Sequence, residues 1–143
     1  MPPTSAMPSN GTLLKMGDGA SPENFTTVAE VISSPVPDMK GKKEDATSQD
    51  SAGWAENLIT LLDGGSIPVK VNWLPSNATQ DNVTGVLAAF LNKTKKNWKV
   101  VLPNTLKTFS FAATISQWKG DAPVDGKAVA EFTLEISGAV TVA

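Results

Sequence analysis

Glu131 and Glu135 are the carboxylates whose spacing first invites an acid–base reading. They sit in Ala130-Glu131-Phe132-Thr133-Leu134-Glu135-Ile136, where apolar and polar residues alternate as in a half-buried strand. At strand rise the two share one face about 13 Å apart, which exceeds both the ~5.5 Å and the ~6.5–9.5 Å separations of glycosidase pairs. They therefore read as acidic residues on a solvated sheet face, with Thr133 between them. Lys40, Lys42 and Lys43 form a basic knot beside Glu44 and Asp45. Nucleic-acid readers interleave such lysines with aromatics or arginine, and this knot has neither. It reads as a solvated loop, or as one whose charges pair with a neighbouring subunit. Gly17-Asp18-Gly19 lacks the spacing of a dinucleotide fingerprint and precedes no helix. Trp54, Trp73, Trp98 and Trp118 raise a sugar-stacking platform, but three of them fall in alternating strands, which favours core or interface burial.

What is missing matters more. Histidine, cysteine and tyrosine are absent, and all 12 basic residues are lysine. The chain thus lacks the ordinary proton shuttle near neutral pH, the soft nucleophile and the planar fork that grips phosphate or carboxylate. A serine nucleophile would need a lysine base, and no motif supplies one. Without thiolate or imidazole a zinc site is not expected, and Asp18, Asp63, Asp121 and Asp125 are too scattered for calcium. Catalytic residues, cofactors and metals are all expected to be none. The balance shifts from chemistry to surfaces that meet other surfaces.

With 143 residues, 41% hydrophobic and 18% charged, the chain is long enough for one folded domain. A net charge of -2 points to neither nucleic acid nor membrane. No stretch approaches the ~20 apolar residues of a membrane helix, and the N-terminus has no secretory pattern, so a cytoplasmic product is expected. Residues 1–11 read as a flexible arm and 12–143 as a single domain.

Strands are expected at 12–16, 25–32, 67–73, 97–102, 108–118 and 130–136, each from alternation or β-branched content. Pro68 should put the start of its strand at an edge or bulge. Between Ser33 and Gly53 the apolar pattern collapses into a long polar segment, part of which, from Glu44, could form one arm of a long hairpin. Asp50-Ser51 offers a capping step before a short helical or irregular piece at Trp54–Ile59. Asp63-Gly64-Gly65 is a turn. One helix is predicted over Asp81–Lys93, capped by Thr79, with Val83, Val86, Leu87, Phe90 and Leu91 as its apolar stripe; Gly85 should weaken it by about 1 kcal/mol against alanine. The fold class is mainly β: an antiparallel sandwich or barrel with one flanking helix.

The order of these motifs resembles a known family. Gly11-Thr12-Leu13-Leu14-Lys15-Met16-Gly17-Asp18-Gly19 through Phe25 looks like the opening of the tail tube proteins of lambda-like, long-tailed bacteriophages. Asp45-Ala46-Thr47-Ser48, Asp50-Ser51 before Gly53-Trp54, the Asp63-Gly64-Gly65 turn, Trp98-Lys99-Val100-Val101-Leu102-Pro103 and the closing Ser137-Gly138-Ala139 follow in the family's order. The resemblance implies a structural virion protein whose copies form hexameric rings, stacked into a hollow tail tube that conducts DNA to the host. It implies as partners the protein itself and tape-measure, tail-terminator and tail-tip proteins, with DNA passing unbound through the lumen and no membrane. The location implied is the virion tail, assembled in the host cytoplasm. The immunoglobulin-like domain that some members carry is expected to be absent, the last strand falling just before Ala143. On this reading the segment bearing Lys40, Lys42, Lys43, Glu44 and Asp45 is an inter-subunit arm that orders on assembly, and Glu131, Thr133 and Glu135 face the lumen. Two alternatives stay open: a secretion-type or tail-derived particle tube, and a small carbohydrate-binding β-sandwich using Trp54 or Trp118.

Overall fold

The computed structural model describes residue 6 and residues 10–143, so most of the expected N-terminal arm, residues 1–5 and 7–9, lies outside the described residues. In chain order come β1 (Leu13–Gly17), β2 (Phe25–Thr27), β3 (Val31–Ser33), β4 (Lys40–Asp45), β5 (Asn57–Asp63) and β6 (Ser66–Asn72). The helix α1 (Val86–Leu91) precedes β7 (Lys96–Val101), β8 (Thr108–Asp121), β9 (Val129–Ile136) and β10 (Thr141–Val142).

Eight of these strands make one antiparallel sheet ordered β2-β1-β7-β8-β9-β6-β3, with β10 added beside β8. Its two outermost strands are halves of one continuous segment. Residues 25–27 pair with β1, the Val28 N–H donates to the Leu14 carbonyl at 2.9 Å, and two residues later the Glu30 carbonyl accepts from the Asn72 N–H at 3.0 Å. Glu30 takes a left-handed φ of 51° at the crossing. The segment thereby passes from one edge of the sheet to the other and closes it into a barrel, covering β1 and the end of β6. On β6, β3 reaches only as far as Lys70, which leaves Pro68 where that flank is unpaired, as its missing N–H requires.

Alternation sets the inside. Leu14 and Met16, Ile67, Val69 and Val71, Trp98 and Val100, Phe111, Ala113 and Ile115, and Ala130, Phe132 and Leu134 are all buried in one core. Trp98 is its largest fully buried side chain, and its indole N–H donates to the Ala113 carbonyl at 3.3 Å. In β8 the register slips between Ile115 and Gln117, so the inward parity changes and Trp118 turns in against Trp73, edge to face at 5.4 Å. A Cβ on Gly120 would come within 2.8 Å of the Trp118 ring, so the glycine makes room for this pair.

The helix is shorter than predicted. It spans only Val86–Leu91, its N-cap is Gly85, and Val83 and Leu91 are exposed, while Val86, Ala88 and Ala89 are buried. The Asp81 carboxylate explains the difference. It accepts the N–H groups of Val83, Thr84 and Gly85 at 3.2, 2.9 and 3.0 Å, which holds this stretch in turns. Gly85 is a requirement there and not a cost, since a Cβ on it would strike the backbone of Gln80 and Asp81.

Thr79 caps no helix either. Its hydroxyl accepts the Ala29 N–H at 3.0 Å, and the buried Gln80 amide donates to the carbonyls of Ala29 and Asn72 at 2.8 and 3.1 Å while accepting the Leu74 N–H at 3.0 Å. These two side chains fasten the closing segment to the end of β6.

Candidate assembly surface

Within the polar stretch from Ser33 to Gly53 the hairpin arm expected at Glu44–Thr47 lies earlier, as β4 over Lys40–Asp45. β4 pairs antiparallel with β5 from Lys40↔Asp63 to Asp45↔Asn57, forming a two-stranded sheet of its own apart from the barrel. Its far end is closed by a short 3-10 turn at Gln49–Ser51, where Ser48 and Ser51 cap each other; Asp50-Ser51 lies within this turn and opens no helix. Asn57–Ile59, predicted helical or irregular, belongs to β5. Asp45 is held below its ordinary carboxylate range by Thr47, through its hydroxyl and then its N–H.

Every residue of β4 and β5 is exposed. The charged residues singled out from the sequence, Lys40, Lys42, Lys43, Glu44 and Asp45, lie along β4, and Lys42 Nζ pairs with Glu44 Oε1 at 3.1 Å within the strand. What the sequence reading missed is the opposite strand. Leu58, Ile59, Leu61 and Leu62 stand exposed along β5, Leu62 at 82%, with Trp54 at 79% near the tip. The register slips between Lys42 and Lys43, so Leu58 and Leu61 fall on one face and Ile59 and Leu62 on the other, over Gly41. The signal was available as an apolar run interrupted only by Thr60, Leu58-Ile59-Thr60-Leu61-Leu62, with no partner run in β4. A free two-stranded hairpin with apolar residues on both faces is marginal by itself, and exposed apolar surface of this kind is typical of interaction sites.

At the hairpin's base Gly65 has φ 73°, and a Cβ there would strike the Asp38 carbonyl. The turn between β5 and β6 therefore holds the hairpin close to the barrel only as glycine.

Glu131, Thr133 and Glu135 do share the outward face of β9. Their cross-strand neighbours change the charge of that face. Glu131 stands between Lys70 and Lys119, Thr133 between Pro68 and Gln117, and Glu135 beside Ser66 and Thr114, with the Ser116 hydroxyl donating to Glu135 at 3.2 Å. The face is polar and balanced, not simply negative. Among the described residues no group of three His, Cys, Asp or Glu could hold a metal ion, and no helix is long and apolar enough to cross a membrane.

A barrel closed by one edge-switching segment, carrying a free apolar hairpin, is the geometry of a subunit that joins others. The sequence model of the lambda phage tail tube protein matches residues 9–143. The chain belongs to this tail tube protein family. It is a structural subunit of a virion tail tube. Three solved structures share the tail tube fold at low identity. The subunit in the tail of an empty GTA particle, refined with C6 symmetry, has a TM-score of 0.78 at 19% identity over 96% of this chain and 99% of its own. The corresponding chain in the native gene transfer agent virion scores 0.71 at 18% identity, covering 96% and 99%. A chain of the PVC extracellular contractile injection system, in its sheath/tube terminator assembly, scores 0.69 at 17% identity and covers 98% of each. No curated protein sequence matches the chain.

Proposed function

We propose that six copies of this tail tube protein close into a ring, that rings stack into a hollow tube, and that DNA travels through the tube without being gripped. The observation that carries this is the exposed apolar hairpin, whose β5 side chains find no cover among the described residues. Six-fold symmetry is supported by the likeness to the GTA tail subunit refined with C6 symmetry. On this reading the hairpin, with Lys40, Lys42, Lys43, Glu44 and Asp45 on one strand, is the arm that reaches a neighbouring subunit. Its ladder is formed in the single chain but little supports it there. Amide exchange across 40–45 and 57–63 is expected to slow by at least about tenfold on assembly; equal exchange rates in monomer and tube contradict the arm.

The lumen is the outward face of β6, β9 and β8 bearing Glu131, Thr133 and Glu135. Its interleaved lysines and glutamates leave little net charge to hold phosphate. Changing Glu131 and Glu135 to lysine would make it strongly basic. Particles carrying both changes should assemble normal tubes and eject DNA more slowly, read by real-time ejection assays; unchanged ejection would move the lumen to another face.

The location is the virion tail after assembly in the host cytoplasm, and the partners are tape-measure, tail-tip and terminator proteins. The chain carries no enzymatic activity on this reading. A tail-derived or secretion-type tube is the second reading, favoured by the likeness to subunits of contractile injection systems. A tape-measure gene next to this one supports the first, and secretion genes support the second. For a glycan-binding module Trp118 is unsuited, since it packs edge to face against Trp73, which leaves the exposed Trp54 as a single ring and not a platform.

A further inference from the structure

We propose that the loop joining β8 to β9 docks its Ala122-Pro123-Val124 tip into the apolar groove at the base of another copy's β4–β5 hairpin, so that copies join head to tail. This rests on the tube reading and names one of its joints.

The groove is about 850 Å³ and is walled by Met39, Leu61 and Leu62 on the hairpin side and by Ile136 and Val140 on the barrel side. Gly64 and Gly138 also line it, and a Cβ on Gly64 would strike Ile136 across the groove. The tip is its counterpart in size and chemistry. Val124 is fully exposed and is held out by Pro123 on one side and Asp125-Gly126 on the other.

The two features lie at opposite ends of the barrel. β9 runs from Val129, next to the tip, to Ile136, in the groove wall. At ~3.3 Å per residue this separates them by about 23 Å. One copy therefore cannot fill its own groove with its own tip, whereas two copies arranged in the same direction can share the contact. Because the joined surfaces differ, the contact is heterologous and repeats, which is the kind of joint that builds rings and filaments and not closed dimers.

Charge supports the same pairing. Asp121 and Asp125 flank the tip, and Lys40 and Lys42 line the groove. Other charges are present: Asp63 also lines the groove, Lys42 pairs with Glu44 at 3.1 Å, and Lys127 follows the tip. Lys40 stands opposite Asp63 in the ladder and, unlike Lys42, makes no salt bridge among the described residues, so it is the cation this pairing assigns to Asp125.

The chain has no cysteine, so a pair can be introduced cleanly at exposed positions. Val124→Cys is combined with Leu62→Cys, and separately with Ala139→Cys, to allow for the narrow geometry a disulfide needs. After mild oxidation of concentrated protein, at least one double variant should give a non-reducing gel ladder extending past the dimer, while single variants give dimers at most. No ladder from either pair in samples whose micrographs show rings or tubes overturns this joint and leaves the tube standing. No ladder and no assemblies overturn both. Lys40→Glu should in addition raise the protein concentration needed for assembly at least tenfold, and adding Asp125→Lys should restore it; a double variant no better than the single contradicts the pairing.

Discussion

Replacing Ile59 and Leu62 together by aspartate is expected to yield a folded protein that no longer assembles. Both side chains are exposed on the same face of the β4–β5 hairpin, so the isolated subunit has little to lose by the change. Surface substitutions of this kind stay within about 0.5 kcal/mol. Burying each side chain against a neighbour would contribute about 1.5–3 kcal/mol, and two lost at every joint weaken it by roughly a hundred- to ten-thousandfold. Two buried carboxylates add a desolvation cost on top. Thermal melting should therefore match the parent, while sedimentation shows monomer at concentrations where the parent forms large species. Tubes of parental length from the double variant would remove the hairpin from the assembly.

The second large effect concerns the subunit's own fold. Gln80→Leu should lower unfolding stability by about 3–5 kcal/mol, because it strands the Ala29 and Asn72 carbonyls and the Leu74 N–H in a buried site. Those groups belong to the segment that carries the chain between the barrel's edges, so the loss falls where the sheet closes. Gln80→Glu should do nearly as much harm, since a carboxylate cannot donate to either carbonyl. Urea denaturation measures both, through a lower midpoint at an unchanged slope. A loss below about 1 kcal/mol would mean that water replaces the amide.

The barrel strands were legible because a half-buried strand writes its burial into every second residue. Ile67, Val69 and Val71 opposite Ala130, Phe132 and Leu134 needed nothing beyond that rule. The helix was legible in position and overlong in extent, because Val83 carries the right spacing while the Asp81 side chain competes for the backbone that a helix would use. Gln80 and Thr79 were invisible as staples, since their partner Ala29 lies some fifty residues away in sequence.

The hairpin was the hardest part to read, for a physical reason. Its strands bury nothing within the chain, so no core imposes a period on them, and a register slip splits the apolar run between two faces. The charges noted from the sequence lie along β4, while the exposed leucines lie along β5 opposite them. The same limit applied to Glu131 and Glu135: their shared face followed from spacing, but the lysines flanking Glu131 come from β6 and β8.

Six-membered rings stacked into a hollow tube are the assembly proposed for this subunit. Electron micrographs of the concentrated, purified protein, with class averages of end-on views, test it most directly. The expected result is rings with six-fold symmetry and an open lumen, stacked into tubes. Rings of another symmetry, solid fibres, or a uniform field of monomers at the highest attainable concentration would contradict it.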